Sequence, residues 1–198
     1  MYVSRTELIA GLAAGRVASF PTDTVPALAA RPDQGAAIFV AKERSPDKPL
    51  ILMGASWADL SPYVTGDESE RAHWQALTQA HWPGALTLVL PASEQVPTVM
   101  HPKDPTTIGV RVPDLAIARE ILVETGPLAT TSANRSGEPP LETLMAIANA
   151  FPDVLVLSDL VAPIACIHGS SLPSTVAKWT ADGWQILRQG SVQLSLKP

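Results

Sequence analysis

The sequence predicts an α/β fold in which helices flank one mixed β-sheet. Segments with a helical period alternate with short apolar segments rich in β-branched residues, which is typical of an α/β protein. Some strand-like segments follow one another without a helix between them, so parallel and antiparallel pairs should share the sheet. Hydrophobic residues make up 46% of the 198 residues and charged residues 17%, which is enough for a substantial core. We therefore expect a single domain over residues 1–198.

The first two elements are marked by clear start and stop signals. Ser4 and Glu7 form a capping box before an apolar run, which predicts a helix over about 4–14. The apolar segment 16–20 then indicates a short buried strand, and Pro21 ends it because proline cannot donate to a sheet ladder.

A second helix is predicted over segment 32–44. It begins near Asp33 and carries Lys42 and Arg44 at its C-terminal end, where cations suit the helix dipole. The remaining elements follow from β-branched runs and from helical periods that Gly or Pro terminate. The predicted strands are 48–54, 85–92, 106–113, 127–133, 153–159, 174–179 and 184–189, and the predicted helices are 67–82, 114–126 and 141–151.

The overall charge limits the partners that the protein can bind. The chain has a formal net charge of −5 and a pI near 5.3, whereas a protein that coats nucleic acid is basic. Binding to tRNA or double-stranded RNA should therefore be weak, local and sensitive to salt. A local cationic cluster does exist, because Lys42, Arg44 and Lys48 lie within seven residues.

The sequence also indicates the compartment. Cys166 is the single cysteine, so no internal disulfide can form, and its apolar neighbours predict a small buried side chain rather than a nucleophile. The first residues lack the basic start and the uninterrupted apolar core of a signal peptide. The longest apolar runs are too short to span a bilayer. We expect a cytoplasmic location without membrane attachment.

A polar turn follows the predicted strand 127–133. In the segment TTSANRSGEPP (130–140), Thr130, Ser132 and Asn134 supply hydroxyl groups and a side-chain amide, and a glycine permits a tight bend. These groups together form a natural cradle for an oxyanion or a phosphate. An ordinary polar loop before a helix has a similar composition, so both interpretations stay open from spacing alone.

Two other groups of residues are candidates for anion binding. Lys42, Arg44 and Lys48 are suitable donors to carboxylate or phosphate, although cations at a helix end are often simply solvated. Further along the chain, Ser174 begins a predicted strand and Arg188 ends another. Ser174 is also compatible with a strand cap, and Arg188 with an ordinary surface arginine.

Two further chemistries have partial signatures in the sequence. Ser45 and Lys48 match S-x-x-K, and Ser132 and Asn134 match S-x-N, as in penicillin-binding serine acyl-enzymes. The chain has no K-T-G motif, which argues against that chemistry. The four histidines show no metal-ligand spacing, so no metal site is predicted. The sequence contains neither a Walker A motif nor G-x-G-x-x-G after a strand, so ATP would have to bind without these phosphate-binding motifs.

Eight short motifs occur in order along the chain. They are PTDTV at 21–25, KER at 42–44, KPL at 48–50, WPGALT at 82–87, VRVP at 110–113, SANRSG at 132–137, STV at 174–176 and LRQG at 187–190. In this order and spacing they make the chain resemble the YrdC-like family of threonylcarbamoyl-AMP synthases, in its short, single-domain form. The resemblance covers about residues 5–192.

The resemblance implies an enzyme, a nucleotidyltransferase that joins L-threonine, bicarbonate or CO2, and ATP into threonylcarbamoyl-AMP and pyrophosphate. ATP is then a substrate, accompanied by Mg²⁺ on its triphosphate. Downstream partner proteins move the threonylcarbamoyl group to an adenosine beside the anticodon of certain tRNAs. The family fold implied is a twisted mixed sheet with a large concave, electropositive face.

The resemblance also implies roles for individual residues. Lys42 and Arg44 are the implied catalytic cations, since they would stabilise negative charge that grows on the phosphates. The nucleotide and its phosphates would be held by Lys48, Thr130, Ser132, Asn134 and Arg188. The threonine and carboxylate end would be lined by Thr22, Thr24 and Ser174. No covalent nucleophile is required.

The chain departs from the family pattern at two places. Pro26 and Ala27 stand where the family usually has Tyr-Gly, and Met53 stands where many members have a histidine. Proline fixes φ and alanine resists positive φ, so the loop backbone beside the amino-acid pocket should differ. These changes motivate an alternative, a paralogue of the same fold that binds nucleotide or double-stranded RNA without this activity. A carbamoyl-transfer module acting with other domains is a third alternative.

The stretch 93–107 contains three prolines and few apolar anchors, which predicts a mobile loop.

Overall fold

The described strands form one mixed sheet. The computed structural model describes residues 1–43, 45, 48–158 and 172–194. The strands in these ranges are β1 (Tyr2–Val3), β2 (Ala18–Phe20), β3 (Ala27–Ala30), β4 (Ile51–Met53), β5 (Leu86–Pro91), β6 (Thr107–Arg111), β7 (Leu128–Ser132), β8 (Leu155–Leu157), β9 (Thr175–Thr180) and β10 (Gly183–Arg188).

The strand order explains why sequence neighbours are often apart in the sheet. The order across the sheet is β1-β8-β2-β3-β7-β4-β6-β5-β9-β10. Strands β2, β3, β7 and β4 pair antiparallel in succession, as do β6 with β5 and β9 with β10. The pairs β1–β8, β8–β2, β4–β6 and β5–β9 are parallel. The predicted α/β fold with a mixed sheet is therefore confirmed.

The helices in the described ranges are α1 (Arg5–Ala13), α2 (Ala36–Ala41), α3 (Trp57–Leu60), α4 (Glu68–His81), α5 (Ala116–Thr125) and α6 (Leu144–Ala150). Four of these six helices, α1, α3, α4 and α6, begin at a side-chain cap that the sequence carries. Ser4 and Glu7 form the predicted capping box of α1, with the Ser4 hydroxyl accepting from the Glu7 N–H. Asp67 and Glu70 begin α4 in the same way.

Two hydrophobic clusters lie on opposite faces of the sheet. Successive residues of a strand point to opposite faces. In β3, Leu28 and Ala30 belong to the larger cluster, whereas Ala29 belongs to the smaller one. The larger cluster packs against α2, α4 and α6, and the smaller one against α1 and α5.

One row of paired residues runs across the face that carries Ala29. From β3 to β9 this row consists of Ala29, Thr130, Ile51, Gly109, Val89 and Lys178. Helices α1 and α5 cover this face where the smaller cluster lies, over β8 and β2 and over part of β3, β7 and β4. Beside them, over β7, β4, β6 and β5, the same face lines two cavities. The uncovered part of this face is where the functional site lies.

Two features of the first half differ from prediction. The sequence does not predict β3, because its four residues ALAA include no β-branched side chain, yet β3 pairs with both β2 and β7. The helix predicted over 32–44 is wrong in its extent. It is a 3₁₀ turn at Pro32–Gln34 followed by α2, which ends with Lys42 as its C-cap.

The stretch 93–107, for which a mobile loop is predicted, is anchored to the core at two positions, and its mobility stays a prediction. Val96 and Met100 are buried in the larger hydrophobic cluster. The Leu50 N–H donates to the Met100 carbonyl at 2.8 Å, which ties this stretch to the segment entering β4.

None of the helices in the described ranges is long and apolar enough to cross a membrane. Cys166 lies outside the described residues, so its predicted burial stays a prediction.

Candidate active site

A cavity of about 460 Å³ lies at one end of the uncovered sheet face. The β2–β3 loop, the end of α2, strands β4 and β7, the turn after β7 and the start of β9 contribute its walls. Four cationic side chains line it, from Lys42, Lys48, Arg111 and Arg188, and none of the described lining residues is acidic. Such a cavity favours an anionic ligand.

Lys42 reaches into this cavity from the C-cap of α2. Its Nζ donates to the Ser132 carbonyl at 2.5 Å and to Asn134 Oδ1 at 2.9 Å. The residue is 2% exposed, so the interpretation of Lys42 as a solvated surface cation is wrong. A buried ammonium acts on neighbouring charges more strongly than an exposed one, because less water screens it.

The turn after β7 holds the predicted cradle in shape. Asn134 Nδ2 donates to the Glu138 carbonyl at 2.6 Å, and the Ser132 hydroxyl donates to Asn134 Oδ1 at 2.5 Å. Gly137 has φ of 89°, a conformation that side chains other than glycine rarely adopt. The sequence prediction of a glycine-permitted bend here is therefore confirmed.

Arg111, at the end of β6, forms the opposite wall of the cavity. Its Nη2 donates to Asp23 Oδ1 at 2.7 Å, and its Nη1 donates to Thr24 Oγ1 at 2.9 Å. Its Nε donates to the Gly84 carbonyl at 3.1 Å. Burial lowers the pKa of Arg111, the Asp23 carboxylate raises it and nearby Arg188 lowers it further. The guanidinium stays charged, since arginine does not deprotonate in proteins.

The hydroxyl groups of Thr22 and Thr24 lie at this end of the cavity but are engaged within their own loop. The Thr22 hydroxyl donates to the Val25 carbonyl at 2.7 Å and lies 3.1 Å from the Thr24 hydroxyl. It also accepts from the Thr24 N–H at 3.2 Å. Thr22 is therefore saturated, and Thr24, which also accepts from Arg111, retains one lone pair.

Ser174 and Arg188 are in direct contact. Arg188 Nε and Nη2 donate to the Ser174 carbonyl at 3.1 and 2.9 Å, and Nη2 lies 3.2 Å from the Ser174 hydroxyl. A Cβ added to Gly190 would lie 2.1 Å from the Pro173 carbonyl oxygen, so only glycine allows this close approach. The family resemblance assigns Ser174 to the amino-acid end and Arg188 to the phosphate end, whereas in the structure the two residues are in direct contact.

The remaining predicted residues divide between the cavity wall and its support. Thr130 is buried in the cavity wall two residues before Ser132, and its hydroxyl donates to the Ile51 carbonyl at 3.0 Å. Lys48 is exposed at the mouth of the cavity. Arg44 lies outside the described residues, so its predicted role stays a prediction.

A second cavity, of about 380 Å³, continues across the same face and shares Pro49 and Ile51 with the first. Its floor is formed by Gly109, Val89 and Val176, and Lys103 and Lys178 contribute to its lining. The two cavities together form one elongated site over β7, β4, β6, β5 and β9.

Within the described ranges, no group of three or more His, Cys, Asp or Glu residues is placed to hold a metal ion.

Sequence comparison assigns the chain to a family. Residues 10–190 match the Sua5/YciO/YrdC family, which is described as "Telomere recombination". The chain belongs to this family.

Relatives within the family share a named activity. The chain is 34% identical to a threonylcarbamoyl-AMP synthase of Vibrio campbellii, over 93% of this chain and 97% of the relative. It is 31% identical to a threonylcarbamoyl-AMP synthase of Chromohalobacter salexigens, over 86% of this chain and 89% of the relative. The structure of Pyrococcus abyssi Sua5 complexed with L-threonine matches with a TM-score of 0.80 at 30% identity. That match covers 95% of this chain and 55% of the archaeal one, so the chain spans about half of that protein's length.

Membership of the Sua5/YciO/YrdC family confirms the resemblance, and the penicillin-binding-type interpretation is not retained. Arg111 is a cavity residue that is not predicted from the sequence, although it lies in the VRVP motif. The available signal was its position, because a charged residue at the end of an apolar strand requires a buried partner. Pro26, Ala27 and Met53, where this chain departs from the family pattern, all line the first cavity. None of the three has a positive φ.

Proposed function

We propose that this protein is a threonylcarbamoyl-AMP synthase, an enzyme that makes threonylcarbamoyl-AMP and pyrophosphate from L-threonine, bicarbonate or CO2, and ATP. The observation that carries the proposal is the elongated site, whose first cavity is lined by four cationic side chains and no described acidic one. A site of this charge suits a triphosphate and two carboxylates. The names of the relatives point to the same reaction.

The reaction needs positioning and charge stabilisation rather than a covalent nucleophile. The threonine amine adds to CO2 and loses a proton, which forms an N-carboxylate. An oxygen of that carboxylate attacks the α-phosphorus of ATP, the bond to the bridging oxygen breaks, and pyrophosphate leaves. Negative charge grows on the phosphate oxygens in this step, so fixed cations lower the barrier.

The phosphates bind at the Lys42 wall in this proposal. Lys42 and Arg44 act as the catalytic cations. Ser132 and Asn134 hold phosphate oxygens by exchanging the hydrogen bonds that their hydroxyl and amide groups make within the turn that Gly137 shapes. Thr130 supports the cradle from behind, and Lys48 attracts the triphosphate at the mouth. The ammonium of Lys42 is already held by Ser132 and Asn134, so little reorganisation is needed during the reaction.

The amino acid binds at the Arg111 wall. A guanidinium matches a carboxylate in geometry, and Arg111 is held by contacts that leave some of its N–H groups unused. Thr24 retains a lone pair for the substrate amine, whereas Thr22 shapes the loop. Ser174 and Arg188 act together and lie between the two ends, where the N-carboxylate meets the α-phosphate.

The adenosine moiety occupies the second cavity. This cavity adjoins the phosphate cradle, lies on the same sheet face and has an apolar floor against which a base can pack. Mg²⁺ accompanies the triphosphate, and the product passes to proteins that transfer the threonylcarbamoyl group to tRNA. Direct contact of this acidic chain with tRNA is weak and decreases as salt increases.

The proposal is tested by measuring pyrophosphate released from ATP with and without L-threonine and bicarbonate. We expect release to require both co-substrates, and a nucleotide-binding paralogue without this activity would show no such dependence. The absence of threonine dependence in the folded wild-type protein would overturn the proposal.

Single substitutions test the two catalytic cations. Lys42→Ala and Arg44→Ala should each lower turnover by a factor of about 10² or more, because a preorganised cation is lost at the growing charge. Arg119→Ala is a suitable control, since Arg119 lies on α5, outside both cavities. Turnover near the wild-type value in both Lys42→Ala and Arg44→Ala would reject the assigned roles.

A further inference from the structure

An acidic side chain stands beside a site proposed to bind anions. Asp23 lies between Thr22 and Thr24, and its Oδ1 accepts from Arg111 Nη2 at 2.7 Å. The side chains of Arg111 and Asp23 are 6% and 14% exposed, so the ion pair is largely buried. A carboxylate in this place would repel an anionic substrate unless the arginine neutralises it.

The contacts of Arg111 fix the plane of its guanidinium. Its three anchors come from two separate parts of the chain, namely the Gly84 carbonyl and the neighbouring side chains of Asp23 and Thr24. A guanidinium has five N–H groups, so these bonds leave one N–H on each Nη. A carboxylate can accept from two such N–H groups at once.

The Asp23 carboxylate also offsets a like charge. Arg188 lies near enough to Arg111 to lower its pKa. Without a neighbouring anion, the guanidinium groups of Arg111 and Arg188 would repel each other in a partly desolvated cavity, and Arg111 would be displaced from its position.

We propose that Asp23 is a positioning residue, which holds Arg111 so that its remaining N–H groups face the α-carboxylate of the amino-acid substrate. The inference rests on the proposed function for the identity of that substrate. Asp23 is not among the residues that line the first cavity, so it acts through the arginine rather than on the substrate.

The test compares Asp23→Asn, Asp23→Glu and Asp33→Asn. Asp33→Asn is a matched control, since Asp33 pairs with Arg31 at 3.0 Å but both side chains are 49% exposed and lie away from the first cavity. The KM values for L-threonine and ATP are measured separately, together with kcat and the melting temperature. L-Threonine binding is also measured directly by calorimetry.

We expect Asp23→Asn to raise the KM for L-threonine by about tenfold or more, since a charged hydrogen bond is lost, while the KM for ATP changes less than about twofold. Asp23→Glu should recover part of the loss, and Asp33→Asn should match the wild type. Arg111→Lys should give a similar loss, and adding Asp23→Asn to it should cost little more, because both act through one pair. Equal changes in both KM values, or a lowered melting temperature alone, would overturn the inference.

The two proposals fail in different ways. If the wild type binds L-threonine but releases no threonine-dependent pyrophosphate, the proposed function is wrong, and calorimetry on Asp23→Asn still judges the positioning role. If the wild type is active and Asp23→Asn binds L-threonine normally, the positioning role alone is wrong. If the wild type neither binds nor turns over L-threonine, both are wrong.

Discussion

Lys42 shows how one buried side chain changes the interpretation of a motif. By sequence, a lysine at a helix end is compatible with a solvated surface. In the structure its ammonium is buried against Ser132 and Asn134, which are ninety or more residues away in the chain. Burying a charge without partners is costly, so a lysine in this position must serve the site or its supporting turn.

Ser19 is a buried polar residue that belongs neither to the first cavity nor to the turn that supports it. It is fully buried in β2 between Leu28 of β3 and Val156 of β8, and its hydroxyl has no hydrogen-bond partner among the described residues. Ser19→Ala should therefore raise the free energy of unfolding by about 1 kcal/mol, because a desolvated and unpaired hydroxyl is removed. Urea unfolding followed by circular dichroism measures this change.

Thr175 is the control for that prediction. It is equally buried, but its hydroxyl donates to the Val192 carbonyl at 2.6 Å and accepts from the Gly190 N–H at 2.9 Å. Thr175→Val should lower the free energy of unfolding by about 1 kcal/mol or more. Stability changes of the same sign in both variants would contradict the argument.

The elements that build the site come from distant parts of the sequence. β4 pairs with β6 and β7, and β9 joins the sheet beside β5. These pairings place the row from Thr130 to Lys178 under both cavities, so the sheet, rather than any single loop, forms the floor of the site.

Gly109, in the middle of this row, tests the placement of the adenosine. A Cβ at Gly109 would make ordinary contacts with Ile51 and Thr87, at 3.4 and 3.6 Å, so Gly109→Ala should be tolerated. Gly109→Leu would place a large side chain on the floor of the second cavity. It should raise the KM for ATP by about tenfold or more, since the added volume would take the space proposed for the adenine base. The KM for L-threonine, measured in the same assay, should stay within about twofold of the Gly109→Ala value. A threonine KM that rises as much as the ATP KM would place the nucleoside elsewhere.

At the scale of the whole molecule, both hydrophobic clusters share one sheet. Strands β3, β4, β7 and β8 each contribute side chains to both clusters, so neither cluster can lose its packing without disturbing the other. We therefore propose that residues 1–198 fold as a single cooperative domain.

The tryptophans make this proposal measurable. All five belong to the larger cluster or pack against it, so their fluorescence reports one face of the sheet, whereas far-ultraviolet circular dichroism reports both. We expect the two signals to give coincident urea transitions. Leu8 lies in the smaller cluster on the opposite face. Leu8→Ala should lower the free energy of unfolding by about 2–5 kcal/mol and should move both transitions to lower urea concentration together. A fluorescence transition that does not respond to Leu8→Ala would show that the faces unfold separately.

Sequence patterns predicted the elements better than they predicted the site. The capping boxes of α1 and α4 and the β-branched strands are local signals, which is why they could be read without the fold. β3 escaped prediction because ALAA forms a strand only by pairing with β2 and β7. Arg111 escaped because its partners, Asp23, Thr24 and Gly84, come from elsewhere in the chain.

The sequence by itself determined the α/β class, most element positions and the motifs that identify the family, because each depends on residues close together in the chain. Only the tertiary structure decided that Arg188 contacts Ser174 and that Arg111 pairs with Asp23 and Thr24. Those facts depend on which side chains meet across the sheet and on which lose contact with water. Burial and distance are properties of the folded chain, so no local pattern encodes them.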